Sequence, residues 1–390
     1  MFNLTFPLET VNSYCLHKQH LALPLSSTDV EAVVRDVSGL HATFVTTPYL
    51  SLWARLPDFS VDQLWAALAE QRSLVKVKCM RGTLFILPVD FVSTAIAATR
   101  RRFAYLDVTK VYERIARTVA RGGGDSEPYS LAPAEVDSLC AQITTMLHSE
   151  VLAADQIKAR LGTERNISYI LYHLCDDGVL VRVPPDVWTS SQQAYTAWES
   201  RLPGIEHKDG EGTALVHLVR AYLQAFGPVC LEDIAWWTGN SKRRISKALS
   251  ALGDETASVN IAGLEPDYVM LVKDVDALRT FHDDGGPTVH LLPSLDGYMM
   301  GYRRRERQFP SAWHERLHDR SGNIRPTVLV NGRVAGTWEK RHSRIDLDLF
   351  VTLEAAIQAR VRERAAQLEQ WLAAQPAQIS THGNNIHGKR

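Results

Sequence analysis

Leu231-Glu232-Asp233-Ile234-Ala235-Trp236-Trp237-Thr238-Gly239 is followed, after Asn240, by Ser241 and then Lys242-Arg243-Arg244-Ile245-Ser246-Lys247-Ala248-Leu249-Ser250-Ala251-Leu252. The first stretch reads as a short helix stopped by Gly239. Ser241 is the capping residue of a second helix from Lys242 to Leu252. A short helix, a glycine turn and a capped helix form a helix-turn-helix pattern. Strands expected over residues 257–262 and 267–272 supply a β-ribbon after it, and residues 213–226 supply a helix before it.

The same order recurs upstream. Residues 10–25 and 28–40 predict two helices, with Ser27, Thr28 and Asp29 as candidate caps for the second. A short run reaches Thr43, residues 47–56 and 61–74 carry apolar residues at helical spacing, and Val75 to Pro88 predicts two strands around Arg81-Gly82-Thr83. After the Gly-rich linker at 121–126, helices are expected at 133–150, 152–161 and 165–176, with a strand at 179–183. One architectural unit thus recurs about three times without sequence repetition. Beyond Pro287 the pattern changes to short strands at 288–292, 326–331 and 334–338, then a helix over 350–373 alternating Arg and Glu. The expected fold class is α+β, mainly helical: tandem winged helix-turn-helix units at 1–120, 127–200 and 213–285, a small β domain at 286–375, and a disordered tail at 376–390.

The bulk numbers agree with this division. A chain of 390 residues exceeds one compact core, and 45% hydrophobic with 22% charged residues is a globular composition. Lys plus Arg total 43 against 44 Asp plus Glu, a net charge of -1, so any nucleic-acid surface must arise from local arrangement. Cys15, Cys79, Cys140, Cys175 and Cys230 are widely spaced, which predicts reduced thiols and no zinc site of the usual spacing. No signal peptide and no membrane span are expected. The expected setting is cytoplasmic, the chain monomeric, and no cofactor or metal is called for.

Five segments in register resemble the winged-helix DNA glycosylases of the AlkZ-like and YcaQ-like, azinomycin-resistance type. They are Pro48-Tyr49-Leu50-Ser51-Leu52-Trp53-Ala54-Arg55-Leu56; Met80-Arg81-Gly82-Thr83-Leu84; Trp236-Trp237-Thr238-Gly239; Leu292-Pro293-Ser294-Leu295-Asp296-Gly297-Tyr298 with Gly301-Tyr302-Arg303; and Gly332-Arg333-Val334-Ala335-Gly336-Thr337-Trp338. The resemblance implies tandem winged helices around a double-stranded-DNA groove and a monofunctional glycosylase that removes bulky N-alkylated purines, in a self-resistance setting. Its catalytic motif, two polar residues flanking an apolar one ahead of Pro-Tyr-x-x-Leu-Trp, falls on His41-Ala42-Thr43, where the family usually has two Gln. Phe85 stands where the family often has His.

In an extended segment residues i and i+2 share a side, so His41 and Thr43 are expected to address one water, His41 orienting or deprotonating it. Asp296 is a candidate to stabilise positive charge on the sugar, or else a turn residue of an Asp-Gly pair. Lys242, Arg243, Arg244 and Lys247 at a helix N-terminus suit phosphates. Arg303, Arg304 and Arg305, with Arg307 nearby, form a second candidate DNA-binding run, and Arg100-Arg101-Arg102 a weaker third. Each run also reads as a solvated face. Trp236, Trp237 and Trp338 are candidates for base stacking or for the core. The alternative functions are a non-catalytic winged-helix damage sensor and a transcription regulator.

Overall fold

The computed structural model describes residues 4–22, 29–99, 133–163, 166–205, 210–265, 267–282 and 286–379. The described residues form a mixture of helices and four small sheets. The segment at 231–252 folds as its pattern demands. Helix Leu231–Thr238 ends at Gly239 in the left-handed region (φ 73°), and helix Lys242–Leu252 starts at Ser241, whose side chain accepts from the Arg244 amide. Ile245, Ala248 and Leu252, at i, i+3 and i+7, form its buried stripe. That stripe packs on helix Glu211–Phe226, which buries Leu215, Leu218, Val219 and Tyr222. Each buried Leu or Ile contributes about 1.5–3 kcal/mol.

Strands Thr256–Ile261 and Tyr268–Leu271 then pair antiparallel. Their sheet is completed by Val229–Cys230 on one side and by Thr5–Phe6, running parallel to Asn260–Ile261, on the other. The amino-terminal strand, placed by sequence in the first unit, therefore pairs with the third. A two-residue strand gains stability only from its pairing partner, and local sequence does not name that partner. Helix Val272–Arg279 follows directly and was not anticipated.

The upstream elements match their expected order. Strands Leu74–Lys78 and Leu84–Pro88 form an antiparallel ribbon joined through Met80–Gly82, and Leu40–His41 adds a third strand to it. In the 133–205 segment, Leu152 and Ala153 form a strand instead of the first helical turn, pairing with Ala194–Ala197, which lies between them and Leu180–Val183. This segment has its own core of Val136, Ile143, Ile157, Ile170, Leu171 and Leu174.

The carboxy-terminal sheet runs Val289–Leu292, Thr327–Val330, Arg333–Arg341, Arg344–Leu349, all antiparallel. Helix Ala355–Ala374 buries Val361, Ala365 and Leu368 against it. This sheet shares one continuous core with helices Leu8–Lys18, Thr47–Trp53 and Val61–Ala69. The expectation of disorder over 376–390 is corrected at its start, where residues 376–379 continue in order from the last helix. Gln375 Oε1 accepts from the Val61 amide at 3.1 Å, and the Ile379 amide donates to the Asp186 carbonyl at 2.9 Å with its side chain buried. Arg100-Arg101-Arg102, the 121–126 linker and residues 380–390 lie outside the described residues. Among the described residues, no helix is long and apolar enough to cross a membrane.

Candidate active site and nucleic-acid interface

The chain enters the His41 strand through Gly39, whose φ is +97°. A Cβ there would stand 2.4 Å from Leu87 Cδ2 and 3.1 Å from the Ile86 carbonyl, so only glycine lets the strand lie this close to its neighbour. His41 pairs with Phe85, and the two rings lie 5.1 Å apart. His41 is 3% exposed, whereas Thr43 is exposed. The two are linked by the Thr43 amide, which donates to His41 Nδ1 at 3.5 Å, the long limit of such a bond. In the neutral ring that arrangement puts the proton on Nε2.

The expectation of a histidine poised near neutrality is corrected here. Burial, assisted by the Arg81 charge, pushes the His41 pKa down to about 3. A ring of that pKa is neutral at pH 7 and a poor proton acceptor, so His41 is equipped to orient groups and not to deprotonate them.

One residue past Thr43 begins a cleft of about 1230 Å³. Phe44, Thr46, Leu50, Val187, Trp188 and Trp338 are among its lining residues. Phe44 is 40% exposed although apolar. The hairpin Arg333–Arg341/Arg344–Leu349 borders the cleft and contributes Lys340 and Arg341.

Asp296 does not face this cleft. It is fully buried, and its carboxylate accepts from Arg55 Nη1 and Nη2 at 2.8 Å each, from Ser51 Oγ at 2.6 Å and from the Tyr298 amide at 2.9 Å. Burial alone raises its pKa, but the Arg55 charge and these donors outweigh it and hold the carboxyl below the usual range. The aspartate is thus the cap of the Gly297–Met300 turn and half of a buried ion pair. This pair ties helix Thr47–Trp53, just past His41–Thr43, to the carboxy-terminal sheet. Thr47 Oγ1, donating to the Ser294 carbonyl at 2.8 Å, reinforces the same junction.

The basic residues gather around one short helix, Leu231–Thr238. Buried Asp233 accepts from the Arg303 and Arg304 amides at 2.7 and 2.8 Å, which pins the 301–305 loop to it. Glu232 pairs with Lys242. The Trp236 ring carries Arg81 at 4.0 Å and Arg305 at 5.4 Å from its centroid. Arg81 reaches it from the Met80–Gly82 turn, itself in the left-handed region at φ 55°. Arg243 and Lys247 are exposed and have no ion pair among the described residues. Arg244 instead turns back to Asn240 Oδ1 and Glu211.

The family described as DNA glycosylase AlkZ-like matches this chain over residues 34–371. The chain belongs to the AlkZ-like family. A curated relative, the interstrand DNA cross-link repair glycosylase of Streptomyces sahachiroi, is 24% identical over 351 residues, covering 84% of this chain and 86% of its own. The solved structure of the Streptomyces sahachiroi DNA glycosylase AlkZ superposes with a TM-score of 0.76 at 20% identity, covering 97% of this chain and all of that one.

In this AlkZ-like chain the structure sets buried His41 beside Phe85 and Arg81, with exposed Thr43 directly ahead of Phe44 of the cleft, and it gathers a second group, Lys242, Arg303, Arg304 and Arg305, around helix Leu231–Thr238. It removes Arg307 from the second group: that guanidinium is buried, donating to the Pro228 carbonyl and Cys15 Sγ at 3.0 Å each. Trp237 lies in the core beside Tyr222 and Phe226, and buried Trp338 donates its indole N–H to the Leu292 carbonyl at 2.9 Å. Arg81, Lys340 and Arg341 went unnoticed in the sequence as candidate site residues. Arg81 sits in the Arg-Gly-Thr turn between two strands, and that position, within one of the five segments of the family resemblance, is its signal.

Proposed function

We propose that this protein is a DNA glycosylase hydrolysing the N-glycosidic bond of bulky N-alkylated purines in double-stranded DNA, working as a cytoplasmic monomer in self-resistance. The observation that carries the reading is His41-Ala42-Thr43 in an AlkZ-like chain, directly ahead of Phe44, which lines a large cleft, and with Arg81 beside His41. We read the helix-turn-helix segments and their ribbons as tandem winged-helix units at about 1–120, 127–200 and 213–285, with Thr5–Phe6 lent to the third and a β domain at 286–375.

An N7- or N3-alkylated purine leaves as a neutral base from a cationic nucleotide, so the leaving group needs no added proton. The sugar passes through an oxocarbenium-like state, water adds to C1′, and one proton is released to solvent. A neutral His41 suits this step, because an imidazolium would oppose the cationic sugar. His41 Nε2–H and the Thr43 hydroxyl are the groups assigned to hold the water or the sugar. Arg243, Lys247, Arg303, Arg304 and Arg305 are assigned to phosphates, with Lys242 partly neutralised by Glu232.

The test is incubation with duplex carrying one N7-alkylguanine, scoring abasic sites. His41→Ala is expected to slow excision by about 10²–10³, the range for one positioned polar group. The departure from the family's two Gln favours one second reading, a non-catalytic DNA-damage sensor. Duplex binding without abasic sites would select it.

A further inference from the structure

A smaller recess of about 40 Å³ is lined by Lys76, Arg182, Tyr49, Trp188, Ser190 and Gln193, among others. Trp188 is a wall of both spaces, and Tyr49 belongs to the helix that follows His41–Thr43. Lys76 and Arg182 come from strands Leu74–Lys78 and Leu180–Val183, which pack against each other across the recess. Arg182 is 7% exposed, yet its guanidinium has no hydrogen bond or carboxylate partner among the described residues; it lies 5.8 Å from the centroid of the Tyr172 ring. Lys76 likewise has no partner among them. Gln193 Oε1 is buried without a hydrogen bond. The neighbouring carboxylate, Asp176, is engaged by Lys78 through Oδ2 at 2.5 Å, while its Oδ1 is buried without a hydrogen bond.

Two cations facing each other without an anion are costly. Each loses hydration and repels the other. The strain is visible in Lys76, whose pKa is pushed down to about 8 by burial and by the Arg182 charge. A fold retains such a pair at low cost when an anion enters between them. We propose that Lys76 and Arg182 form a binding notch for one phosphodiester of the DNA strand lying in the cleft. A guanidinium grips two phosphate oxygens and an ammonium a third, while Ser190 is placed to donate its hydroxyl. The assignment rests on the DNA-binding reading above and adds a contact away from the basic helix surface. Its effect is to hold the strand beside Trp188, which lines both the recess and the cleft.

The experiment compares the wild-type chain with Lys76→Gln and Arg182→Gln, using undamaged duplex so that no excision is needed. Binding is measured across a salt series, and melting temperature with and without inorganic phosphate. Each variant is expected to keep or raise the melting temperature, because one of two opposed charges is gone. Duplex affinity should fall roughly tenfold, and the slope of log K against log salt should become shallower by up to about 0.9. Unchanged affinity and slope in both stably folded variants would overturn the proposal. Phosphate raising the melting temperature of wild type alone, with duplex binding unaltered by the variants, would also overturn it in favour of a free anion. If the wild type binds no duplex, the DNA-binding reading fails by itself. The phosphate series then decides whether the notch takes an anion at all, and no wild-type shift removes the notch too.

Discussion

Replacing Asp296 with Asn separates a structural aspartate from a catalytic one. The carboxylate and its Arg55 partner are 0% and 1% exposed, and the aspartate's oxygens accept from Arg55 twice, from Ser51 and from the Tyr298 amide. Asn keeps one acceptor oxygen but turns an N–H₂ toward the guanidinium, leaving a buried positive charge without compensation. Breaking a buried pair in this way costs about 3–5 kcal/mol. An unfolding entropy of about 2.1 cal/mol/K per residue gives about 0.8 kcal/mol/K for a chain of this size, so the melting temperature should fall by about 4–6 °C. Because Arg55 and the hydrogen bonds hold the carboxyl below its usual range, the stabilisation is present above the unfolded carboxylate pKa of about 3.9 and is lost as pH falls below it. The double replacement Arg55→Met with Asp296→Leu should recover most of the loss, because it removes both charges together. The assay is calorimetric melting beside excision measured well below the transition. An unchanged melting temperature in Asp296→Asn, with excision abolished at low temperature, would refute the structural assignment and return Asp296 to the chemistry.

The remaining predictions concern titration, DNA contacts and lesion size. Burial pushes both His41 and His290 down to about 3, so their neutral forms stabilise the fold above pH 6.5. That stability should drain away as pH falls from 6.5 toward 3, by up to about 1.4 kcal/mol per pH unit for each ring; melting curves for His290→Leu should show a weaker acid dependence. The excision rate should lack a limb near pH 6.5, and finding one that His41→Ala removes would contradict the neutral-ring reading. Arg243→Ala and Lys247→Ala should each make the salt slope of duplex binding shallower by up to about 0.9, whereas Arg244→Ala, already engaged with Glu211 and Asn240, should leave it nearly unchanged. In single-turnover assays a bulky N7-purine adduct should be excised at least as fast as N7-methylguanine, because an open cleft exacts no toll for size; much faster removal of the methyl adduct would point to a snug flipping pocket instead.

What the sequence by itself determined was local. The Gly239 stop, the Ser241 cap and the Ile245–Ala248–Leu252 spacing specify two helices and the turn between them, because capping and a 3.6-residue stripe act within a dozen residues. The Val75–Pro88 ribbon and the carboxy-terminal strands were legible for the same reason, as were the five segments that carry the AlkZ-like resemblance. Arg344–Leu349, Ala194–Ala197 and Thr5–Phe6 were not, because the pairing that makes each a strand comes from elsewhere in the chain. The candidate site divides in the same way. The family resemblance placed His41 among the candidates and residue type added Asp296, but only tertiary burial depressed the His41 pKa and supplied Arg55 to Asp296. Residue type also grouped Arg307 with Arg303–Arg305, yet Arg307 turns inward to Pro228 and Cys15. Arg81 and Arg305, more than 220 positions apart in the chain, meet on Trp236. Charge and hydration depend on which groups share a space, and in this protein those groups are set by packing between segments hundreds of residues apart.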